Sequence, residues 1–252
     1  MKTSIVIPTL NCKDDIVILL NSIEDLKINK KAEIIVVDSD STDGTIKYVK
    51  SYNFTKFINV GLVSKGKARN VGIKYCKGDV IVNLDSDVEI LPGWFEALQK
   101  SIKTNHIVAG YSPDPEEKHL PRVPIYINGQ DITYPCCNIA HRREVFKKVG
   151  LYNETQNLPE DIEFNYRCVK MGFDICYNPK MKLYHYQRTT KKGFCKQAFW
   201  NGEARYEINK LHPELRNKHQ HGVSGKNLIR LGIGFLGYTI GRYYKKKGEK
   251  IQ

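Results

Sequence analysis

Apolar residues in the first 90 positions fall into short blocks separated by helical repeats. Thr3 to Ile7, Glu33 to Val37, Phe57 to Val60 and Val80 to Leu84 are mostly β-branched and apolar. Runs of this length are too short for helices and fit strands buried on both faces. Between them, Ile16, Leu19, Leu20, Ile23 and Leu26 recur at helical spacing behind Asp14 and Asp15, which are placed to cap the helix. Ile46 and Val49 mark a second helix, and Lys67 to Cys76 a third that Gly78 stops. Strands alternating with helices at this interval predict an α/β chain of βαβ units, with parallel pairing and right-handed crossovers.

Beyond residue 90 the rhythm changes. Gly93 to Ile102 reads as a helix and His106 to Gly110 as a strand, but Tyr111 to Pro135 holds five prolines and little periodicity. A stretch of that length without a pattern is a long loop or a set of irregular strands. Arg142 to Val149 and Glu160 to Met171 read as helices ended by Gly150 and Gly172. Phe173 to Tyr177 and Met181 to Tyr186 read as two strands flanking Asn178-Pro179. Helical patterns return from Thr190, break at His212-Pro213 and again from Lys218 to Lys226, and close on an apolar stretch from Leu228 to Ile240. This divides the chain into an α/β domain over residues 1–190 and a helical extension over 191–252.

Charge sharpens that division. Residues 180–252 carry 17 Lys and Arg against four Glu, the whole of the net charge of +13, so residues 1–179 are neutral. A basic segment of this kind seeks an anionic membrane surface, a nucleic acid or an anionic substrate. Seven Cys form an odd set without metal-type spacing, which points to reduced thiols. No stretch approaches the ~20 apolar residues of a spanning helix, and the start has too short an apolar run for a signal peptide. A cytoplasmic location is therefore expected.

The candidate chemistry lies where strands end. Pro8 and Thr9 follow the first strand, Asp38 the second, and Asp85 and Asp87 the fourth. Asp85 and Asp87 are two apart, so extended backbone turns both carboxylates to one side. In open α/β sheets, ligands bind outside the carboxyl ends of the strands. Two like charges there call for a divalent cation, whose open positions accept phosphate oxygens. Lys65 and Arg69 sit near the start of a helix, where free backbone N–H groups and positive side chains suit an anion.

The order Ile-Val-Ile-Pro-Thr-Leu-Asn (5–11), Ile-Ile-Val-Val-Asp-Ser-Asp-Ser-Thr-Asp-Gly-Thr (34–45), Gly-Lys-Ala-Arg-Asn-Val-Gly (66–72), Leu-Asp-Ser-Asp (84–87) and Pro-Glu-Asp (159–161) resembles the family-2 inverting glycosyltransferases of the GT-A fold. The resemblance covers about three quarters of the chain. It implies that Pro8 and Thr9 line a nucleotide, that Asp38 accepts a hydrogen bond from the base, and that Arg69, with Lys65, lies beside it and the diphosphate. It implies that Asp85 faces the ribose and sugar, and that Asp87, with Asp85 and His185, holds Mg²⁺ or Mn²⁺. Asp161 becomes the catalytic base with Glu160 beside it, and Asn138 a sugar contact. Each position also has a plainer reading: Glu160 and Asp161 as helix N-terminal charges, His185 as an ordinary strand residue, Asn138 as a turn residue.

Two departures matter. Asp40 stands where the family turn often has Gly, and Asp tolerates the left-handed conformation required there. Gln197-Ala-Phe-Trp200 lacks the Arg of the processive synthases' Gln-x-x-Arg-Trp, so a single transfer per encounter is expected.

In the extension, Leu231 to Gly241 carries no charge and is flanked by Arg230, Arg242 and Lys245 to Lys247. As a helix it is about 16 Å long, half a bilayer core. An interfacial helix with Phe235, Leu236, Tyr238, Tyr243 and Tyr244 dipping into an anionic membrane suits this composition, and a lipid-linked or cell-surface glycan acceptor follows. The alternative is packing on the catalytic domain or a second copy through Gly237 and Gly241. Gly232 to Gly237 matches Gly-x-Gly-x-x-Gly but follows no strand, which argues against a dinucleotide site. Two rival functions are a nucleotidyltransferase, which would carry a Gly-rich basic loop after the first strand, and a nucleic-acid-binding protein, for which no recognised motif appears.

Overall fold

A computed structural model describes residues 1–115, 124–155, 158–186, 191–216 and 232–240. The expected alternation is present: β1 (Thr3–Thr9), α1 (Lys13–Asp25), β2 (Ala32–Asp38), α2 (Thr45–Val49), β3 (Thr55–Asn59), α3 (Lys65–Tyr75) and β4 (Val80–Asn83). The second half adds β5 (Val88–Ile90), α4 (Trp94–Ser101), β6 (Ile107–Tyr111), a small hairpin of β7 (Tyr126–Ile127) and β8 (Gln130–Asp131), β9 (Ile139–Arg142), α5 (Arg143–Val149), α6 (Glu160–Lys170), β10 (Ile175–His185) and α7 (Lys191–Leu211). Residues 232–240 form a further helix, α8.

The main sheet has the order β3-β2-β1-β4-β9-β6-β10-β5. In it β9 runs antiparallel to β4 and β6, and β5 antiparallel to β10, while the other neighbours are parallel. Strand alternation splits the core in two. Ile5, Ile7, Ile34, Val36, Val80 and Val82 face α1 and α4 on one side, and Val6, Ile35, Val37 and Ile81 face α3, α5 and α6 on the other. Both faces are covered, which is why these strands read as continuous apolar runs.

Several expectations are corrected. Asp14 and Asp15 lie in the first turn of α1 and do not cap it. The backbone N–H groups of Cys12 and Lys13 instead donate to Thr45 Oγ1 and Asp43 Oδ2, each at 3.0 Å. The two strands expected around Asn178-Pro179 are one strand, β10, whose register with β6 slips between Asn178 and Lys182. β5 and β9 were not expected: each is only three or four residues long, and β9 merges with the helical pattern of α5.

Asp40 has φ 59°, the left-handed conformation its side chain was expected to tolerate. All seven Cys are free, and five are buried. Among the described residues no helix is long and apolar enough to cross a membrane.

Residues 191–216 of the extension are docked on the α/β domain rather than separate from it. Ile208 and Leu215 join the core cluster, and Tyr166 on α6 donates to Glu214. α8 crosses α7 at backbone contact: a Cβ on Gly202 would lie 1.8 Å from the Gly234 oxygen, and one on Gly237 would lie 2.1 Å from the Phe199 oxygen. Two glycines of the Gly-x-Gly-x-x-Gly string, Gly234 and Gly237, thus serve a helix crossing. Tyr238 turns inward, edge-on to Tyr206 at 5.5 Å, while Phe235 and Leu236 are 70% and 54% exposed. Tyr238 is therefore removed from the lipid-facing set. Tyr243, Tyr244, Gly241 and the flanking basic residues lie outside the described residues, as do parts of the Tyr111 to Pro135 loop.

Candidate active site

Strands β1, β2, β4, β6 and β10 run in one direction, so Thr9, Asp38, Asp85, Asp87 and His185 all emerge at one edge of the sheet. α6 starts at the same edge with Glu160 and Asp161, reached through the loop after α5.

On the β1–β2 side, Asp38 is enclosed. It accepts hydrogen bonds from Thr9 Oγ1 at 2.8 Å, Ser41 N at 2.8 Å and Ser41 Oγ at 2.7 Å, which fixes the turn that also carries Asp40. Pro8 and Thr9 form the rim of this corner.

Arg69 is the central cation. It is 1% exposed on α3, donating through one terminal nitrogen to Asp85 Oδ1 and through the other to Glu160 Oε1. One guanidinium therefore ties the carboxylates that follow β4 to those that open α6. Lys65 lies one turn earlier on α3, and the Asp85 charge beside it raises its ammonium. Burial alone would push Asp85 up, but Lys65, Arg69 and His185 outweigh it and hold its carboxyl down at about 2.

Asp161 is displaced the other way. Burial and the neighbouring Glu160 charge raise it to about 6, against a hydrogen bond from Ile162 N at 2.8 Å. The site thus holds one acid that stays ionised and one whose proton is exchanged near neutral pH, the separation that lets two carboxyls take different roles.

Donor atoms of Asp85, Asp87 and His185 lie within 4.8 Å of one another. Asp87 Oδ1 is shielded from solvent and accepts no aligned hydrogen bond, with His185 Nε2 3.2 Å away. Burial pushes the imidazole down, but Cys137 and Asp87 outweigh it and raise it to about 11. Two carboxylates and an imidazole, once a cation displaces the imidazole's proton, make a donor set that fits a hard divalent cation such as Mg²⁺ or Mn²⁺.

Asn138 does not reach this edge as a free contact. It is 2% exposed, accepts from Trp94 Nε1 at 2.9 Å, and donates to Met181 O at 2.9 Å and Tyr111 O at 3.2 Å, fastening α4, β10 and β6 together. The fold already uses its hydrogen-bonding capacity.

Other supporting residues have no sequence signal. Asn70 bonds the Tyr152 backbone twice, at 2.8 and 3.0 Å, and Glu154 once. Asn83 donates to the Tyr152 hydroxyl at 3.1 Å. These contacts span 69 to 84 positions of chain and seat the loop that leads into α6 against α3.

The profile of glycosyl transferase family 2 matches residues 4–165. The pre-mycofactocin glycosyltransferase of Mycobacterium tuberculosis (strain CDC 1551 / Oshkosh) is 27% identical over 231 residues, covering 80% of this chain and 46% of that protein. The chain thus spans less than half the length of this curated relative. Among solved structures, Staphylococcus aureus TarS 1-349 in complex with UDP-GlcNAc is similar with a TM-score of 0.67 at 16% identity, covering 100% of this chain and 93% of that one. The mannosyltransferase PcManGT of Pyrobaculum calidifontis, in complex with GDP-Man and Mn²⁺, has a TM-score of 0.64 at 17% identity, covering 96% and 73%.

Proposed function

Because the chain belongs to glycosyl transferase family 2, we propose that it moves a sugar, with inversion, from a nucleoside-diphosphate sugar to an acceptor hydroxyl. The observation that carries this reading is the Arg69 bridge, which holds Asp85 and Glu160 to one guanidinium and so keeps both acidic groups together. The base lies against Pro8 and Thr9 with Asp38 behind them, and the ribose and sugar face Asp85. Asp85, Asp87 and His185 hold Mg²⁺ or Mn²⁺, which when bound offsets the charge of the diphosphate. Lys65 and Arg69 stabilise the charge that grows on the leaving group.

Asp161 takes the proton of the attacking hydroxyl. With its carboxyl raised to about 6, it is ionised at neutral pH yet more basic than an ordinary aspartate, which suits a general base. Glu160, held by Arg69, keeps that affinity high by its adjacent charge. The nucleotidyltransferase alternative falls with the family assignment.

A panel of sugar nucleotides with Mg²⁺ or Mn²⁺, read by thermal shift and donor hydrolysis, tests the assignment. Asp87→Ala is expected to abolish the cation-dependent shift; a shift unaffected by that change removes Asp87 from the metal site.

The acceptor is a cell-surface or lipid-linked glycan, and the extension from about residue 191 brings the enzyme to the cytoplasmic face of an anionic membrane. Support comes from Phe235 and Leu236, which α8 leaves outward, and from the extension's 14 Lys and Arg against four Glu.

A further inference from the structure

The first turn of α6 carries three acids, Glu160, Asp161 and Glu163, and its N-cap residue, Pro159, supplies no side-chain hydrogen bond. Where Asp161 points is therefore set by the packing of α6 and by the groups that hold its two acidic neighbours. Glu160 is held by Arg69 on α3.

Glu163 is 2% exposed and is held by other cations. Arg167, one turn further on, donates to it from Nε at 2.8 Å and from Nη2 at 2.9 Å, and also donates to Val149 O at 2.8 Å and Leu151 O at 2.7 Å. That bidentate pair already offsets the buried charge. The extension then supplies a third partner: His212 Nε2 lies 3.3 Å from Glu163 Oε1, 49 positions away in the chain, with the carboxylate as acceptor.

His212 is itself built in. Its ring centre is 4.5 Å from that of Tyr166, its backbone N–H donates to Ile208 O at 2.7 Å, and its carbonyl accepts from Leu215 N at 3.0 Å. Glu163 and Tyr166 are three apart and share one face of α6. The turn after α7 covers that face, with His212 on Glu163, Glu214 on Tyr166 and Leu215 in the core cluster. Since Arg167 suffices for the charge of Glu163, what His212 adds is a tie between the extension and the turn that bears Asp161.

We infer that His212 is a positioning residue for the transfer reaction: bonded to Glu163, it fixes the first turn of α6, and Asp161 with it, from the extension. The inference rests on the transfer reading above and adds that residues 208–215 belong to the catalytic unit, apart from any part the extension plays at a membrane. Because His212 acts through Glu163 and α6, its loss lowers kcat and spares donor binding, which draws on β1, β2, β4 and α3.

The test uses the full chain, without vesicles, hydrolysing whichever sugar nucleotide the parent turns over with Mn²⁺ or Mg²⁺, and reads kcat, KM and Tm together. His212→Ala is expected to lower kcat by about 10-fold with KM within about 3-fold of the parent. His212→Gln, which places an amide N–H near the Nε2 position, is expected to bring kcat back to within about 3-fold of the parent. In a Glu163→Gln background, His212→Ala is expected to cost no more than about 2-fold further. Tyr166→Phe, which keeps the ring beside His212 and drops the bond to Glu214, is expected to lower Tm and leave kcat unchanged, which separates the tie to Glu163 from docking in general. His212→Asn, whose shorter side chain ends near the Nδ1 position, takes the place of His212→Ala should the latter be unfolded at the assay temperature.

A folded His212→Ala variant with parental kcat, a Gln variant as slow as the Ala variant, or a Tyr166→Phe variant slowed equally overturns the proposal. Each of those outcomes leaves the transfer reading standing. A parent that hydrolyses no sugar nucleotide with either cation is failure of the transfer reading, and the role of His212 falls with it.

Discussion

At the scale of single residues, the site separates the proton affinities of two acids at one edge of the sheet. Asp85 is held at about 2 and Asp161 raised to about 6. For Asp161 the folded chain binds its proton more tightly than the unfolded chain. Its contribution to stability is therefore fully present below about 3.8 and is lost as pH rises through about 6. Asp85 has the opposite sign, stabilising above its unfolded value and losing that contribution as pH falls toward about 2.

One outcome follows for Asp161. The acid limb of kcat/KM is expected to rise through about pH 6, read from a pH–rate profile; a flat profile from pH 5 to 8 would remove it as the base. Asp85 and Asp87 could be picked out from the sequence because the end of an apolar run is a local signal, whereas His185 came only from the family resemblance. The Arg69 link to Glu160 spans 91 positions, and only the fold reveals it. Asn138, a motif-like position, is held in the fold by hydrogen bonds to Trp94, Tyr111 and Met181 that only the structure reveals.

At the scale of elements, α3 is the part whose seating matters most, because it presents both Lys65 and Arg69. It approaches the sheet through Gly72, where a Cβ would lie 2.4 Å from Val6 Cγ1 and 3.1 Å from Val37 Cγ2. Gly72→Ala is expected to cost about 1–3 kcal/mol by overpacking, lower Tm by about 3–10 °C, and weaken donor binding through the displaced cations. An unchanged Tm would show that α3 is not seated as described. The early βαβ units were legible because each strand is an uninterrupted apolar run. β5 and β9 were not, because three or four residues carry too little periodicity, and their antiparallel direction is set by which neighbours need a partner. The break inside β10 looked like two strands because Asn178-Pro179 is a turn signal that the sheet absorbs as a register slip.

At the scale of the whole molecule, a neutral catalytic unit carries a basic extension fastened to it. That charge division was plain in the sequence, but the fastening was not, because Tyr166 and Glu214 lie 48 positions apart and Ile208 and Leu215 join the core only in the fold. Truncation after about residue 225 is expected to release the chain from anionic vesicles in co-sedimentation; equal sedimentation of the short form would contradict the membrane role. The proposed function depends on Asp161 acting as base beside the donor-side residues, and a change confined to Asp161 tests it most directly. Single-turnover kinetics of Asp161→Asn, with donor and cation titrated in parallel, should show donor affinity within about 3-fold of the parent and transfer slowed by about 10²–10⁴-fold. Transfer at near-parental rate, or donor binding lost along with it, would contradict the account.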